Sequence, residues 1–156
     1  MRDTIHHPLL RDLYDYWESL RAGRALPRRA DFDPFKLPRL LPSLIVNEVE
    51  RGPGGRLRFR IRLEGEGVVQ ARGRTAKGRY LDEPGVVVLG SGVREAYERI
   101  VSERRPSYAE GTFRPDALRS GSLHRLALPF AGGDPERVDF IVVAFIHDLR
   151  PVAERD

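Results

Sequence analysis

Four histidines, a serine-flanked turn and a run of alternating arginines carry the side chains of this 156-residue chain best suited to chemistry. Ser120-Gly121-Ser122-Leu123-His124 sets two hydroxyls near an imidazole, the raw material of acyl transfer. It lacks the strand–turn–helix elbow that exposes a serine nucleophile, and closeness in sequence is a poor guide to triad geometry. The serines therefore read as turn formers. His6 and His7 lie in the N-terminal stretch, His124 begins one expected strand and His147 ends another. No two of them share a helix face at metal-ligand spacing, so surface or hydrogen-bonded histidine is the expectation and no metal site is assigned. The absence of cysteine removes disulfides, thiolate nucleophiles and cysteine-based zinc sites.

Other polar groupings have bland explanations. Asp31 and Asp33 precede a short helical segment, where a carboxylate caps free N–H groups or pairs with Arg28 or Arg29. Gly90-Ser91-Gly92 could cradle a phosphate at a helix N-terminus, but it has neither the Lys-Ser/Thr of a P-loop nor the longer dinucleotide fingerprint. Helix entry is the better reading. Arg56, Arg58, Arg60 and Arg62 alternate with Leu57, Phe59, Ile61 and Leu63, so period two puts the four arginines on one sheet face. A solvated edge that discourages edge-to-edge pairing accounts for them; an anion site is the sharper alternative. Twenty-seven basic against 23 acidic residues give a charge of +4 and a pI near 9.8. All but Lys36 and Lys77 of the bases are arginines, spread along the chain among acids rather than gathered on one face. That pattern disfavours a nucleic-acid partner.

The elements that must position these groups follow from periodicity and punctuation. Pro8–Ala22 reads as an amphipathic helix, with Leu9, Leu10, Leu13, Tyr16, Trp17 and Leu20 on one face and Gly23 just past its end. Prolines 27, 34, 38 and 42 break the connector that follows, and Asp33-Pro34 starts a short helical turn. Strands are expected at Leu44–Glu50, Arg56–Glu64, Pro106–Arg114, Ser122–Phe130 and Arg137–Leu149. A hairpin loop at Gly52–Gly55 joins the first two, and AGGDP (131–135) joins the last two. Between the second and third strands stand a short turn at Val68–Arg72 and a helix at Val93–Arg104. The last strand alternates Val138, Phe140, Val142, Ala144 and Ile146 with Ile141, Val143 and Phe145. Both of its faces are apolar, so it is central and covered on both sides. The N-terminal helix is the natural second cover. The order is that of an α+β domain with a five-stranded antiparallel sheet: residues 1–42 form the helix and connector, 43–150 the sheet domain, and 151–156 a polar tail. No stretch approaches about 18 apolar residues, so no membrane span is expected, and no secretory signal is read at the N-terminus. A cytoplasmic location is the simplest expectation.

Specific words strengthen this reading. They are Tyr16-Trp17, Leu20-Arg21, Gly23-Arg24, Pro27, Arg29-Ala30-Asp31, Asp33-Pro34, Leu37-Pro38 and Leu41-Pro42, then Phe59-Arg60, Leu63, Gly65, Gly73 and Gly78-Arg79-Tyr80-Leu81. With the element order, they resemble the PAS fold. More narrowly, they resemble a family of small stand-alone PAS-like proteins from alphaproteobacteria. The resemblance implies a sensory or regulatory module in signal transduction rather than an enzyme, and no catalytic residues carry over. It implies a pocket between the inner sheet face and the helices, and dimerisation through the N-terminal helix. Cysteinyl-flavin chemistry is excluded for want of a cysteine. Haem is disfavoured because no histidine stands on the Val93–Arg104 helix, where haem-binding PAS domains commonly place it. A non-covalent flavin stays open.

Two sets of candidate residues result. Pocket candidates are Phe59, Ile61, Val69, Tyr80, Tyr97, Ile100, Tyr108, Leu126, Leu128, Phe140 and Val142, which by default are simply core. Candidates for a homodimer interface are Leu9, Leu13, Tyr16, Trp17 and Leu20. Acting through a signalling protein partner and through itself is the first functional expectation. A small-molecule sensor with an occupied pocket is the second.

Overall fold

Val138–Pro151 is a strand with apolar side chains on both faces, and the fold is assembled around it. In the computed structural model, which describes residues 1–86, 92–113 and 117–152, five strands form one antiparallel sheet. They are β1 (Leu44–Arg51), β2 (Leu57–Glu64), β3 (Ser107–Phe113), β4 (Arg119–Ala131) and β5 (Val138–Pro151), in the order β2-β1-β5-β4-β3. The middle strand is β5, as its two apolar faces require. Helices α2 (Glu66–Arg72) and α3 (Val93–Glu103) are inserted between β2 and β3, and α1 (Pro8–Arg21) precedes the sheet. Gly90 and Ser91 of the glycine turn, and Arg114 at the end of the third expected strand, lie outside the described residues.

Two hydrophobic clusters result, one on each face. On the inner face Ile141, Val143 and Phe145 of β5 pack with Phe59, Ile61, Tyr97 and Ile100. On the outer face Val142, Ala144 and Ile146 lie with Leu10, Leu13, Trp17, Phe32 and Phe130. Thus α1 is a second cover for β5. His7 accepts from the Leu9 N–H at 3.2 Å through Nδ1 and caps the helix behind Pro8. Trp17 Nε1 donates to the Pro129 carbonyl at 2.8 Å, and its ring is only 3% exposed. In the connector, Asp33 caps a short helical turn by accepting from the Phe35 N–H, and Asp31 takes a two-pronged hydrogen bond from Arg28.

Two bulges alter the expected faces. The β1–β2 register steps from Val46↔Leu63 to Asn47↔Ile61, leaving Arg62 as the extra residue. Leu63 consequently leaves the inner face held by Phe59 and Ile61 and is 37% exposed. The β4–β5 register steps from Phe130↔Phe140 to Ala131↔Val138, so Val138 faces inward although Phe140 faces outward. The later strands are also longer than the spacing predicts. Ser120 and Ser122 are not in a turn; they pair within the ladder with Arg150 and Asp148. Paired to Arg119, β5 continues to Pro151.

Gly65 closes β2 against the proline connector. A Cβ there would meet the Leu41 carbonyl oxygen at 2.2 Å and the Pro42 carbonyl carbon and oxygen at 2.4 Å. Its φ of −67° is ordinary, so the need for glycine is steric, and rigid backbone cannot yield as a side-chain tip can. Gly65→Ala should cost about 1–3 kcal/mol or more by overpacking. Leu13→Ala should cost about 2–5 kcal/mol by leaving a cavity under α1. Urea unfolding followed by Trp17 fluorescence measures both; an unchanged midpoint in either variant would contradict these contacts.

Candidate functional site

The inner face is not completely filled. Between the sheet and α2–α3 lies a cavity of about 230 Å³. Ile45 and Asn47 of β1, Ile61 of β2 and Phe145 and His147 of β5 form its floor. Val68 and Arg72 of α2, Val93 and Tyr97 of α3, and Leu81 and Val86 of the intervening segment form its walls. The strand residues line one side because alternate side chains of paired strands share a face.

Asn47 is a fully buried polar residue, 0% exposed. Its Nδ2 donates to the Ile141 carbonyl at 3.3 Å, which fixes the orientation of the amide. Its Oδ1 has no hydrogen-bond partner within the chain. Such an orphaned acceptor costs about 1–3 kcal/mol. Tyr97 lies beside it, 1% exposed, with its ring edge-on to Phe59. Burial drives the Tyr97 phenol pKa well up, against smaller downward pulls from Arg125 and the Asn47 amide, so the hydroxyl stays protonated. His147 is pushed down by burial. Arg72 enters the wall already neutralised. It pairs with Glu64, the two side chains being 5% and 1% exposed, and also donates to the Val86 carbonyl at 3.1 Å. Glu64 in turn accepts from the Ala76 N–H at 2.8 Å and the Thr75 hydroxyl at 3.2 Å. This buried pair ties β2, α2 and the following segment into one wall.

Of the residues singled out from the sequence, Ile61 and Tyr97 line the cavity, and Phe59 and Ile100 pack beside them. Val69 is half-buried on α2, where its neighbour Val68 takes the lining position. Leu126, Leu128, Phe140, Val142 and Tyr108 are on the opposite side of the sheet with α1. Tyr80 is at the sheet edge. Residues 78–81 run along the free edge of β2, with Leu81 N–H donating to Phe59 O at 2.8 Å and Ile61 N–H to Arg79 O at 2.9 Å. The edge expected to be bare is therefore covered. The arginine face of β2 is matched by carboxylates: Arg62 pairs with Glu48, Arg60 with Glu50 and Arg58 with Asp82. Arg58 also stacks 3.6 Å from the centre of the Tyr80 ring.

Among the interface candidates, Leu13 and Trp17 are buried against their own sheet, whereas Leu9, Tyr16 and Leu20 are half-buried. The N-terminal histidines are tied down rather than loose. His6 Nδ1 lies 2.6 Å from Glu110 Oε1, and Tyr108 bridges Glu110 and His124. Burial and then the hydrogen bond to Glu110 push Tyr108 up to about 12. Among the described residues no group of three metal-ligating side chains is arranged to hold an ion. Sequence reasoning missed Asn47, although a polar residue in phase with inward-facing Ile45 and Val49 was a signal. It also missed the Glu64–Arg72 pair, which no local pattern marks.

The family profile described as PAS domain matches residues 5–141. The chain belongs to the PAS domain family. PAS domains are generally sensory modules rather than enzymes, and the cavity occupies the space between the sheet and its inserted helices. No curated protein gives a significant match. Among solved structures, a similar chain comes from work on a fungal LOV domain photoreceptor, at 14% identity and a TM-score of 0.45, covering 93% of this chain and 97% of that one. Among the described residues of this PAS domain, no helix is long and apolar enough to cross a membrane.

The histidine environments set a pH dependence. His7 is lowered by burial and then by His124, with Asp148 opposing, and His147 is lowered by burial. The unfolded chain takes up these protons near the ordinary value of 6.5, while the folded chain does so only at lower pH. The unfolded state binds more protons in between, so stability falls as pH drops below 6.5. Urea midpoints at pH 7.5 and 5.5 should show this decline. His147→Gln should shrink it; an equal decline in the variant would remove His147 from the account.

Proposed function

We propose that this PAS domain is a non-catalytic sensor whose input is a small molecule held in the inner-face cavity. The observation that supports the reading is the orphaned Asn47 Oδ1 on the floor of a mostly apolar, largely pre-formed space. Such a space with a few aimed polar groups is the usual form of a small-ligand site, and a buried acceptor without a donor calls for one from outside the chain. Native mass spectrometry of the purified protein beside a denatured sample tests it. A small mass released on denaturation supports the sensor. An apo chain whose thermal midpoint is unmoved by the low-molecular-weight fraction of a cell extract counts against it.

Self-association is a second reading, favoured by the stripe of Leu9, Tyr16 and Leu20. Spacings of seven and four put them on one line of α1, half-exposed after Leu13 and Trp17 have been covered by the sheet. A second copy is the partner this reading predicts, and a signalling protein could use the same stripe. Sedimentation velocity should report a dimer for the wild-type chain and a folded monomer for Leu9→Arg with Leu20→Arg. A dimer that survives both substitutions places the contact elsewhere.

A further inference from the structure

The cavity narrows the class of molecule it can take, granted the sensor reading above. Its volume of about 230 Å³ falls below the ~300–1,000 Å³ usual for drug-sized ligands. A space of that size suits a compact ligand better than a flavin nucleotide.

Its polar equipment is equally restrictive. The Asn47 amide cannot be reversed without losing the bond from Nδ2 to the Ile141 carbonyl, so Oδ1 presents an acceptor and nothing else. The Tyr97 hydroxyl presents a donor beside it, since it remains protonated. The charge that lines the cavity, Arg72, is already answered by Glu64 and by the Val86 and Arg74 carbonyls. A ligand carboxylate would have to compete with Glu64 for it. A ligand cation would meet no free carboxylate among the described lining residues. Arg125, a half-buried cation on the same sheet face, has its Nε buried without a partner, but it is not one of the lining residues. His147, also in the floor, is held toward its neutral form by burial, which leaves Arg125 as the feature that argues for an anion; benzoate probes that alternative.

We infer that the cavity binds a compact, uncharged molecule carrying an N–H donor next to a carbonyl acceptor, as in an amide or lactam, on an apolar body. The N–H meets Asn47 Oδ1, the acceptor meets the Tyr97 hydroxyl, and the apolar part lies against Ile45, Ile61 and Phe145. The side chains of the site recognise an amide edge, and the volume limits the rest of the ligand to about one ring.

Three probes of similar shape separate the contributions: benzamide, benzoate and toluene. Each is titrated into the ¹⁵N-labelled full chain, and dissociation constants are read from chemical-shift changes of the β1 and α3 amides. Benzamide should bind at least about tenfold more tightly than either of the others. Asn47→Leu should erase that advantage while toluene binding persists. Tyr97→Phe, which keeps the ring and the packing, should reduce the advantage and serves if Asn47→Leu does not fold. Benzoate as the tightest probe would overturn the inference and point to Arg125 and an anion. Equal affinities, or toluene binding without benzamide, would overturn the ligand class while leaving a real cavity. No binding by any of the three would remove the sensor reading at this site along with the inference. A stoichiometric flavin in the purified protein would overturn the size argument and leave the sensor reading standing.

Discussion

A strand that is apolar on both faces cannot sit at the surface of a sheet, and this constraint on β5 organises the chain. Ile141, Val143 and Phe145 demand cover on one side, and Val142, Ala144 and Ile146 on the other. The helices inserted between β2 and β3 can reach only the inner side. The outer side must be closed by something else, and α1 with Trp17 and the Phe32 segment does so. Each buried side chain of this size contributes roughly 1.5–3 kcal/mol, so leaving one face of β5 bare would remove a sum comparable with the whole stability of a domain. In this structure the N-terminal helix is therefore a structural layer.

That logic explains which parts of the fold were legible. Helix α1 announces itself by its stripe, proline start and glycine end, and the five strands by alternation. The central place of β5 follows from its double alternation alone. Faces were less legible, because period two holds only while the ladder is regular. One extra residue at Arg62 turns Leu63 outward, and one at Asp139 puts Val138 and Phe140 on opposite sides. Each bulge is a relation between two strands, and neither strand's sequence carries it. The same limit governs the candidate site. Phe59, Ile61, Tyr97 and Ile100 gathered on one face, whereas Leu126, Leu128, Phe140 and Val142 belong to the layer under α1. Hydrophobicity alone does not say which of two apolar faces a residue takes.

Polar residues show the opposite failure. The arginines of β2 drew attention by number, yet each of Arg58, Arg60 and Arg62 ends beside a carboxylate, and exposed pairs of this kind contribute about 0–1 kcal/mol. Glu64 and Arg72 gave no signal, although burial makes their pairing consequential. Removing one partner of such a pair typically costs about 3–5 kcal/mol, since the other charge is left stranded. Asn47 is a subtler case. Between Ile45 and Val49 it is the polar residue of an otherwise apolar inner row, and only the three-dimensional structure reveals that half of its amide lacks a partner.

The cost of that orphan is the strongest reason to see more than packing in the cavity. A leucine at this position would fill space and leave no unsatisfied oxygen, so on stability alone the asparagine is a poor choice. Its Nδ2 bond to Ile141 does not rescue it, because the same ladder would stand without that bond. A ligand donor removes the penalty and makes binding favourable by a similar amount. The sheet then supplies a physical route for the consequence. Asn47 faces the cavity, while its neighbour Val46 faces α1 on the other side of the same strand. Cores packed as densely as organic crystals transmit sub-ångström displacements rather than absorb them. The half-exposed stripe of α1 therefore lies across the sheet from the proposed site.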